Sequence, residues 1–274
     1  MSSHTTIDLD VIDRRMIELC GDGPVAEAAR YHLSTGGNRV RAALGLDAAR
    51  ALQLPHPVAE ACACGPELLH NASLVHDDVQ DKDTTRRGQS AVWQRFGPAA
   101  AISAGDVMIS AAFASAAHHS EPVKAIALLH DAISRTARGQ ARDLMRPALD
   151  LASYRDLAGD KTGPLFALPV RLALAAARAD GDDIAVEVGA TLALAYQALD
   201  DMRDRDADAA ARRVNICPVL APGERGVSEA RMIALEALQT VRARAADLPG
   251  RAGMSFCNLA DRMDSALTEH ADAA

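Results

Sequence analysis

Residues 67–88 read ELLHNASLVHDDVQDKDTTRRG, an apolar helical run that ends in a cluster of carboxylates and a pair of arginines. At 3.6 residues per turn, Asp77 and Asp81 lie on one helical face with Asp78 close beside them. Three carboxylates this close repel one another unless a cation neutralises them. Their oxygens suit Mg²⁺, and the guanidinium groups of Arg86 and Arg87 match phosphate oxygens. Taken alone, such a stretch is more often a solvated helix end.

A second stretch of the chain repeats this arrangement. Residues 191–208 read TLALAYQALDDMRDRDAD, again an apolar run followed by carboxylates. Gln197, Asp200, Asp201 and Asp204 are spaced i, i+3, i+4 and i+7, which places them on one face of one helix. Two such helices facing each other in a bundle would bring six carboxylates to one end of a cavity, as in the multi-metal sites of bundle cores.

Composition and charge restrict the possible partners. The chain has 274 residues, 49% of them hydrophobic, and nothing divides it, so we expect one domain over residues 1–274. The net charge of -8 argues against nucleic acid as a partner, since no basic stripe is present. The five cysteines predict no disulfide framework. Because no apolar run has the length of a signal peptide or a transmembrane helix, we expect a cytoplasmic setting.

The hydrophobic periodicity predicts an all-α chain without strands. Gly and Pro clusters separate the expected helices, and alanine-rich runs favour them. The predicted helices are 7–20, 25–33, 39–52, 59–81, 99–118, 123–145, 161–178, 184–206, 228–246 and 252–271.

Six short stretches, in order and spacing, resemble the trans-isoprenyl diphosphate synthases, the polyprenyl synthetase family that includes farnesyl and geranylgeranyl diphosphate synthases. They are GGNRVR (36–41), LLHNASLVHDDVQD with the following RRG (68–88), FGPAAAISAGD (96–106), GQARDL (139–144), KTGPLF (161–166) and YQALDDMRD (196–204). The resemblance implies the isoprenoid synthase fold, a bundle of ten or more helices around a central apolar cavity. It also implies a homodimer that joins an allylic diphosphate to isopentenyl diphosphate with three Mg²⁺ ions.

The resemblance assigns roles to individual residues. The metal ligands would be Asp77, Asp78, Asp81, Asp200, Asp201 and Asp204. Catalytic roles fall on Asp77, Asp78, Asp81, Lys161, Gln197, Asp200 and Asp201. Substrate-binding roles fall on Asn38, Arg41, His70, Arg86, Arg87, Lys161, Thr162 and Gln197. No protein nucleophile is implied, because the departing diphosphate itself would remove the final proton.

The sequence departs from the family pattern at two places. Asn38 stands where the family has a lysine that helps to hold isopentenyl diphosphate. After the second aspartate cluster, the family has a longer loop with a further diphosphate-binding lysine, whereas this chain reads DADAAARRVNICPVLAPG. We expect Arg212 and Arg213 to take the place of that lysine.

The residues before the first aspartate cluster bear on product length. Ala72 and Ser73, the fifth and fourth residues before Asp77, are small, so no aromatic plug stands there. The expected wall of the cavity consists of Leu69, Ala72, Ser73, Met108 and Phe113. This wall predicts a product of about C15 to C20 or longer, by the steric reasoning that bulk limits a pocket.

Two other functions fit the same residues. A terpene cyclase on this scaffold would keep both aspartate clusters and would not need isopentenyl diphosphate, and Asn38 and the shortened loop point mildly that way. A non-catalytic subunit of a heteromeric synthase is the other alternative, although such subunits tend to lose the aspartate clusters that are intact here.

Overall fold

The computed structural model describes residues 8–145, 150–211 and 213–272, of which the side chains of 211 and 268–272 are not described. Within these ranges the chain forms thirteen α-helices and one short hairpin. The first half comprises α1 (Leu9–Leu19), α2 (Pro24–Ser34), α3 (Val40–Ala51), α4 (His56–Asp81), β1 (Thr85–Arg86), β2 (Gln89–Ser90), α5 (Val92–Phe96) and α6 (Pro98–Ser115). The second half comprises α7 (Pro122–Leu144), α8 (Leu151–Lys161), α9 (Gly163–Ala177), α10 (Asp182–Ala211), α11 (Ile216–Leu220), α12 (Glu224–Ala245) and α13 (Met254–Asp272). The prediction of an all-α fold is confirmed.

The prediction that strands are absent is wrong at one place. β1 and β2 pair antiparallel, with Arg86 opposite Gln89. Arg87 and Gly88 between them both have positive φ, at 52° and 73°. Two consecutive positive φ values are what a two-residue type I′ hairpin turn requires. The strands are too short for an alternating pattern to reveal them.

The helix predicted for residues 161–178 begins two residues too early. Lys161 is the last residue of α8, and α9 starts at Gly163 with Pro164 in its first turn. The side chain of Asp150 caps α8 by accepting a hydrogen bond from the Ser153 amide at 2.8 Å. Helix α8 is not among the predicted helices, because its largely polar sequence gives a weak periodic signal.

Helix α9 forms the centre of the bundle. Nearly all of its residues are buried, and it packs against α3, α4, α7, α8 and α10. A helix that is apolar on all sides is a core helix in this setting. The buried apolar side chains form one cluster, whose members range from Ile12 to Leu267 in the sequence. The expectation of a single domain stays a prediction.

One stretch of the described residues, Pro98–His118, is long and apolar enough to cross a membrane by length and composition. It consists of α6 and a 3₁₀ turn, Ala116–His118. Buried core helices meet the same criteria, and α6 packs against α4 and α2. Of the apolar window in this stretch, 44% is buried inside the bundle, so packing accounts for part of its apolar composition.

Candidate active site

A cavity of about 480 Å³ opens where α4, α7, α8 and α10 end or approach their ends. Its volume is typical of a small-molecule site. The charged residues that line its mouth are Asp77, Asp81, Asp83, Arg86, Asp143, Lys161, Asp200, Asp201, Asp204, Asp208 and Arg213. The carboxyl-terminal ends of helices carry partial negative charge, which adds to that of the carboxylates. The mouth therefore attracts cations.

The first aspartate cluster divides into two kinds of side chain. Asp77 and Asp81 line the cavity. Burial raises the pKa of Asp77 to about 6, with the Asp81 carboxylate adding to the shift and Lys161 opposing it. Asp78 is fully buried and turns away from the cavity, where its Oδ1 accepts a 2.9 Å hydrogen bond from Nε of Arg86. Its Oδ2 has no partner within the described residues.

The second cluster divides in a similar way. Asp200 and Asp204 line the cavity. The pKa of Asp200 is raised mainly by burial and, to a lesser extent, by the neighbouring carboxylate of Asp204. Asp201 also borders the cavity, but protein donors occupy its carboxylate. Oδ2 accepts from the Tyr154 hydroxyl at 2.8 Å and from the Ile216 amide at 2.6 Å, while Oδ1 accepts from the Gln197 amide at 3.1 Å. Asp201 thus joins α8, α10 and α11.

The bond from Tyr154 to Asp201 predicts a measurable loss of stability. Replacing the buried Tyr154 by phenylalanine removes one donor from a buried carboxylate, which should lower the free energy of unfolding by about 1.5–3 kcal/mol. Tyr31→Phe is the matched control, because the Tyr31 hydroxyl donates at 2.8 Å to the neutral carbonyl of Ser90 and should cost only about 0.5–1.5 kcal/mol. Urea unfolding measures both changes. Equal losses would contradict a special role of the Asp201 contact.

Of the residues expected to bind diphosphates, six line the cavity. These are Arg41, His70, Arg86, Lys161, Thr162 and Gln197. Arg87 lies outside the lining, with contacts to the Gly36 carbonyl and, at 3.3 Å, to Asn71 Oδ1. Asn38 is exposed and also lies outside it.

Arg41 and His70 form a polar pair at one side of the cavity, in which Arg41 is buried. Nη1 of Arg41 lies 3.3 Å from Nε2 of His70, and its guanidinium stacks on the Phe166 ring at 4.3 Å. Burial, followed by the charge of Arg41, lowers the pKa of His70 well below its usual value, so this imidazole is neutral at pH 7. Nε of Arg41 is buried without a partner in the described part of the chain. The pair retains hydrogen-bonding capacity for a ligand.

Lys161 makes an ion pair with Asp143, a cavity residue that is not among the predicted site residues. Burial alone would lower the pKa of Lys161, but the carboxylates of Asp143, Asp77 and Asp81 raise it above its usual value. Asp143 lies at i+3 from Gln140, which also lines the cavity. The helical spacing within GQARDL was the available signal for both residues.

Arg213 and Asp83 join the two rims of the mouth. Nη2 of Arg213 lies 2.7 Å from Oδ1 of Asp83, and both residues line the cavity. The contact connects the segment after α4 with the segment after α10. Arg212, the other arginine singled out in the sequence, lies outside the described residues.

The inner wall differs from the predicted one. Only Ser73 of the five expected wall residues lines the cavity. Leu69, Ala72 and Met108 are fully buried in the core, and Phe113 is half-buried against it. The apolar lining consists instead of Leu74, Ile109, Ile133, Ala137, Ala141, Leu144, Leu165 and Val214. A cavity with carboxylates at one end and aliphatic side chains at the other suits a ligand with an anionic head and an apolar tail.

Comparison with known proteins agrees with this chemistry. A model of the polyprenyl synthetase family matches residues 23–217. The chain belongs to the polyprenyl synthetase family. The octaprenyl diphosphate synthase of Haemophilus influenzae is 30% identical over 224 residues, covering 79% of this chain and 68% of the relative. The geranylgeranyl diphosphate synthase of Methanosarcina mazei is 30% identical over 216 residues, covering 75% and 65% respectively.

Solved structures confirm the fold of this polyprenyl synthetase family member. The geranylgeranyl pyrophosphate synthetase of Geoglobus acetivorans superposes with a TM-score of 0.82 at 23% identity, covering 93% of this chain and 97% of that one. The decaprenyl diphosphate synthase of Rhodobacter capsulatus gives 0.84 at 20% identity, covering 94% and 96%. The predicted family and its transferase class are confirmed.

The polyprenyl synthetase cavity fits a hard divalent cation. Asp77, Asp81, Asp200 and Asp204 offer only oxygen donors, and burial raises the pKa values of Asp77 and Asp200, which a bound cation would reverse. Within the described residues, no three carboxylate, imidazole or thiol groups already stand together as a metal site. The donor set therefore suits ions that share their coordination with a diphosphate, as Mg²⁺ commonly does.

Because Ser73 lies on the cavity wall, we expect the size of the side chain at this position to control product length. Ser73→Phe should fill the cavity near Asp77 and shorten the product by one or more five-carbon units. Ala72→Phe should instead lower the free energy of unfolding by about 1–3 kcal/mol, because Ala72 is fully buried in the core. Chromatography of dephosphorylated products and urea unfolding test the two variants. A shorter product from Ala72→Phe alone would restore the wall predicted from the sequence.

Proposed function

We propose that the chain condenses an allylic prenyl diphosphate with isopentenyl diphosphate to give a longer trans-prenyl diphosphate. The observation that carries the proposal is the pair of carboxylate sets, Asp77 with Asp81 and Asp200 with Asp204, at one end of a cavity with an apolar opposite wall. That polarity matches a substrate with a diphosphate head and a hydrocarbon tail.

Residues at the charged end of the cavity and residues of its apolar wall have different roles in the proposed reaction. Asp77, Asp81, Asp200 and Asp204 would hold Mg²⁺, three ions by the family resemblance, and the bound metal would supply positive charge beside the diphosphate of the allylic substrate. Lys161 and Arg86 add positive charge beside the same head group, and Gln197 orients Asp201. The apolar wall keeps water from the allylic cation.

Isopentenyl diphosphate, the second substrate, binds at a separate group of residues. Arg41 and His70 hold the diphosphate of isopentenyl diphosphate, and the free hydrogen-bonding capacity of Arg41 supports this role. The double bond attacks the cation to form the new carbon–carbon bond. The departing diphosphate, which carries the electron pair of the broken bond, accepts the proton that is lost. The proposed product is C15 to C20 or longer.

A homodimer completes the proposal. The outer surface of α6 and the start of α7 expose Ile102 at 49%, Val123 at 83% and Ile126 at 47%, which supports a second copy as their cover. Sedimentation at micromolar concentration should give twice the mass of the chain. The cytoplasmic setting stays an expectation.

The deciding experiment incubates the purified protein and Mg²⁺ with dimethylallyl, geranyl, farnesyl and geranylgeranyl diphosphates, each with and without isopentenyl diphosphate. Longer diphosphates that appear only with isopentenyl diphosphate would support the synthase and give its chain length. A hydrocarbon or alcohol from an allylic substrate alone would indicate a cyclase. No product in any combination, for the wild type as for Asp200→Asn, would indicate a non-catalytic subunit.

The arginines after α10 provide a further prediction. Arg213 lines the cavity, so reversing the charge of Arg212 and Arg213 together should raise KM for the allylic diphosphate by about tenfold or more, through loss of a charge-assisted bond. Arg205→Glu is the control, because Arg205 pairs with Asp206 and Glu224 outside the cavity lining. Unchanged KM in the double variant would exclude a role of these arginines in diphosphate binding.

A further inference from the structure

We propose that Glu67 is a positioning residue for isopentenyl diphosphate, because it fixes the start of α3 and so holds the guanidinium of Arg41 at the cavity. This role rests on the proposed condensation, in which Arg41 binds that substrate. Glu67 itself lies outside the cavity lining and acts through Arg41, without contact to either substrate.

The start of α3 has no cap of its own. Arg39, at the N-cap position, has a left-handed backbone with φ and ψ of 45° and 41°, and within the described part of the chain its side chain makes no capping bond. The first turn, residues 40–43, contains no carboxylate. The first amides of a helix have no acceptor inside the helix, so α3 needs one from elsewhere.

Glu67 supplies this acceptor from α4. Its Oε2 accepts hydrogen bonds from the backbone amides of Arg41 and Ala42, both at 3.1 Å. These are the second and third residues of α3, the positions that an N-cap side chain ordinarily serves. Glu67 is 1% exposed, so water does not compete for the two bonds. The start of α3 is therefore fastened to α4 at the residue that carries the Arg41 guanidinium.

The second carboxylate oxygen fixes the Glu67 side chain in this orientation. Oε1 accepts a 3.1 Å hydrogen bond from Nδ2 of Asn71, which also donates to the Glu67 carbonyl at 2.8 Å. Nη1 of Arg39 lies 4.0 Å from the same Oε1. Because both oxygens have donors on opposite sides, the carboxylate cannot turn away from α3 without losing a bond.

The place of the Arg41 guanidinium depends on where α3 begins. The guanidinium lies 4.3 Å from the centre of the Phe166 ring on α9, and Nη1 lies 3.3 Å from Nε2 of His70 on α4. A shift or fraying of the α3 start would move Arg41 relative to both neighbours. Misplacement by about 1 Å can cost about a hundredfold in rate. Glu67 therefore controls the geometry in which Arg41 meets a diphosphate.

Glu67→Gln tests this role with a side chain of the same size. Its single acceptor oxygen can face either α3 or Asn71, and its amide nitrogen then faces a donor on the other side. We expect KM for isopentenyl diphosphate to rise by about tenfold or more. KM for the allylic diphosphate should not change, because that substrate binds at the carboxylate end. A loss of folded protein alone would lower kcat and leave both KM values as they are.

Glu60→Gln is the matched control, two turns earlier on α4. Glu60 lies outside the cavity lining, and its Oε1 is 3.1 Å from Nδ1 of His56. This variant should keep both KM values. An equal rise of both KM values in Glu67→Gln, or no rise in either, would overturn the proposal.

A double variant tests whether Glu67 acts through Arg41. Arg41→Ala removes the guanidinium and keeps the backbone amide that Glu67 binds. Adding Glu67→Gln to Arg41→Ala should therefore raise KM for isopentenyl diphosphate no further, although each single variant raises it. A further rise of about tenfold in the double variant would show that Glu67 acts independently of Arg41 and would refute the proposal.

A binding measurement separates this role from the proposed function. Calorimetric titration should show about tenfold weaker binding of isopentenyl diphosphate to Glu67→Gln, with an unchanged number of sites for farnesyl diphosphate in Mg²⁺. This weakening, in a protein whose wild type elongates nothing, would refute the condensation alone. Equal binding by variant and wild type, with elongation by the wild type, would refute the role of Glu67 alone.

Hydrogen exchange on the wild type completes the test if Glu67→Gln does not fold. Because coupling between two equilibria is reciprocal, bound isopentenyl diphosphate should slow exchange of the Arg41 and Ala42 amides by about tenfold. The Ser153 amide, which the Asp150 side chain caps at the start of α8, is the control and should exchange at the same rate. Equal rates at Arg41 and Ala42 with and without isopentenyl diphosphate would overturn the proposal.

Discussion

Asp77→Asn is expected to lower kcat/KM by about a thousandfold. In the proposed function the Asp77 carboxylate would hold Mg²⁺, and such a ligand contributes several kcal/mol of transition-state stabilisation. Asp77 lines the cavity, and no hydrogen bond or ion pair ties it to another side chain in the described residues. Its burial disfavours the charged form, so the neutral amide should fold at least as stably. The measurement is kcat/KM across a Mg²⁺ titration, with thermal unfolding of the same preparation.

Asp78→Asn is the matched control, one residue along the same helix. Asp78 is fully buried and pairs with Arg86, whose side chain is 29% exposed. The substitution removes a charge-assisted bond but leaves Arg86 partly exposed and 3.9 Å from Asp83, so the cost should be about 1.5–3 kcal/mol. Asp77→Asn should thus lose activity with its stability intact, whereas Asp78→Asn should lose stability. The reverse result would show that the two carboxylates have been assigned the wrong roles.

This contrast shows what the sequence could and could not predict about the site. The spacing of Asp77 and Asp81, and of Asp200 and Asp204, predicts each pair on one helical face, and all four line the cavity. Adjacent residues on a helix point about 100° apart, so a neighbouring carboxylate can face either way. Its direction depends on donors that lie outside its own helix.

Those donors come from elements that local patterns did not reveal. Asp78 meets Arg86 because a two-residue turn folds β1 and β2 beside the end of α4. Asp201 meets Tyr154 because α8, a helix that the sequence pattern does not predict, packs against α10. Both contacts are tertiary, and neither has a periodic signature.

The two small residues of the predicted wall lie on different sides of α4 for a geometric reason. Counting four residues back from Asp77 reaches Ser73, about 40° away on the helix, whereas counting five reaches Ala72, about 140° away. Ser73 lines the cavity and Ala72 is fully buried in the core. Small size at both positions was visible in the sequence. The direction in which each side chain leaves the helix decides whether a substrate contacts it.

The close contact of α7 with α8 explains how Lys161 reaches the cavity. A Cβ atom added at Gly139 would lie 2.5 Å from both Cα and N of Lys161 and 2.7 Å from the carbonyl carbon of Asp160. These are backbone atoms, so no side-chain rotation can relieve the overlap. Arg135 and Arg142 on α7 both pair with Asp160, at 3.3 and 2.9 Å, and hold the helices together beside this point.

Gly139→Ala is therefore expected to impair both folding and catalysis. Overpacking should cost about 1–3 kcal/mol of unfolding free energy, although alanine is favoured over glycine in a helix by about 1 kcal/mol where no contact opposes it. A displacement of Lys161 and Thr162 by about 1 Å should lower kcat by about a hundredfold. Urea unfolding and steady-state kinetics measure the two effects.

Gly159→Ala is the control on the facing helix. A Cβ atom there would meet only Cβ of Ala190, at 3.7 Å, which is an ordinary contact. The helix preference for alanine is then unopposed, so this variant should be as stable as the wild type or more so, and equally active. If Gly139→Ala behaved in the same way, the contact between α7 and α8 could not be what positions Lys161 against Asp143, and Lys161 would have to reach the diphosphate end of the cavity by another arrangement.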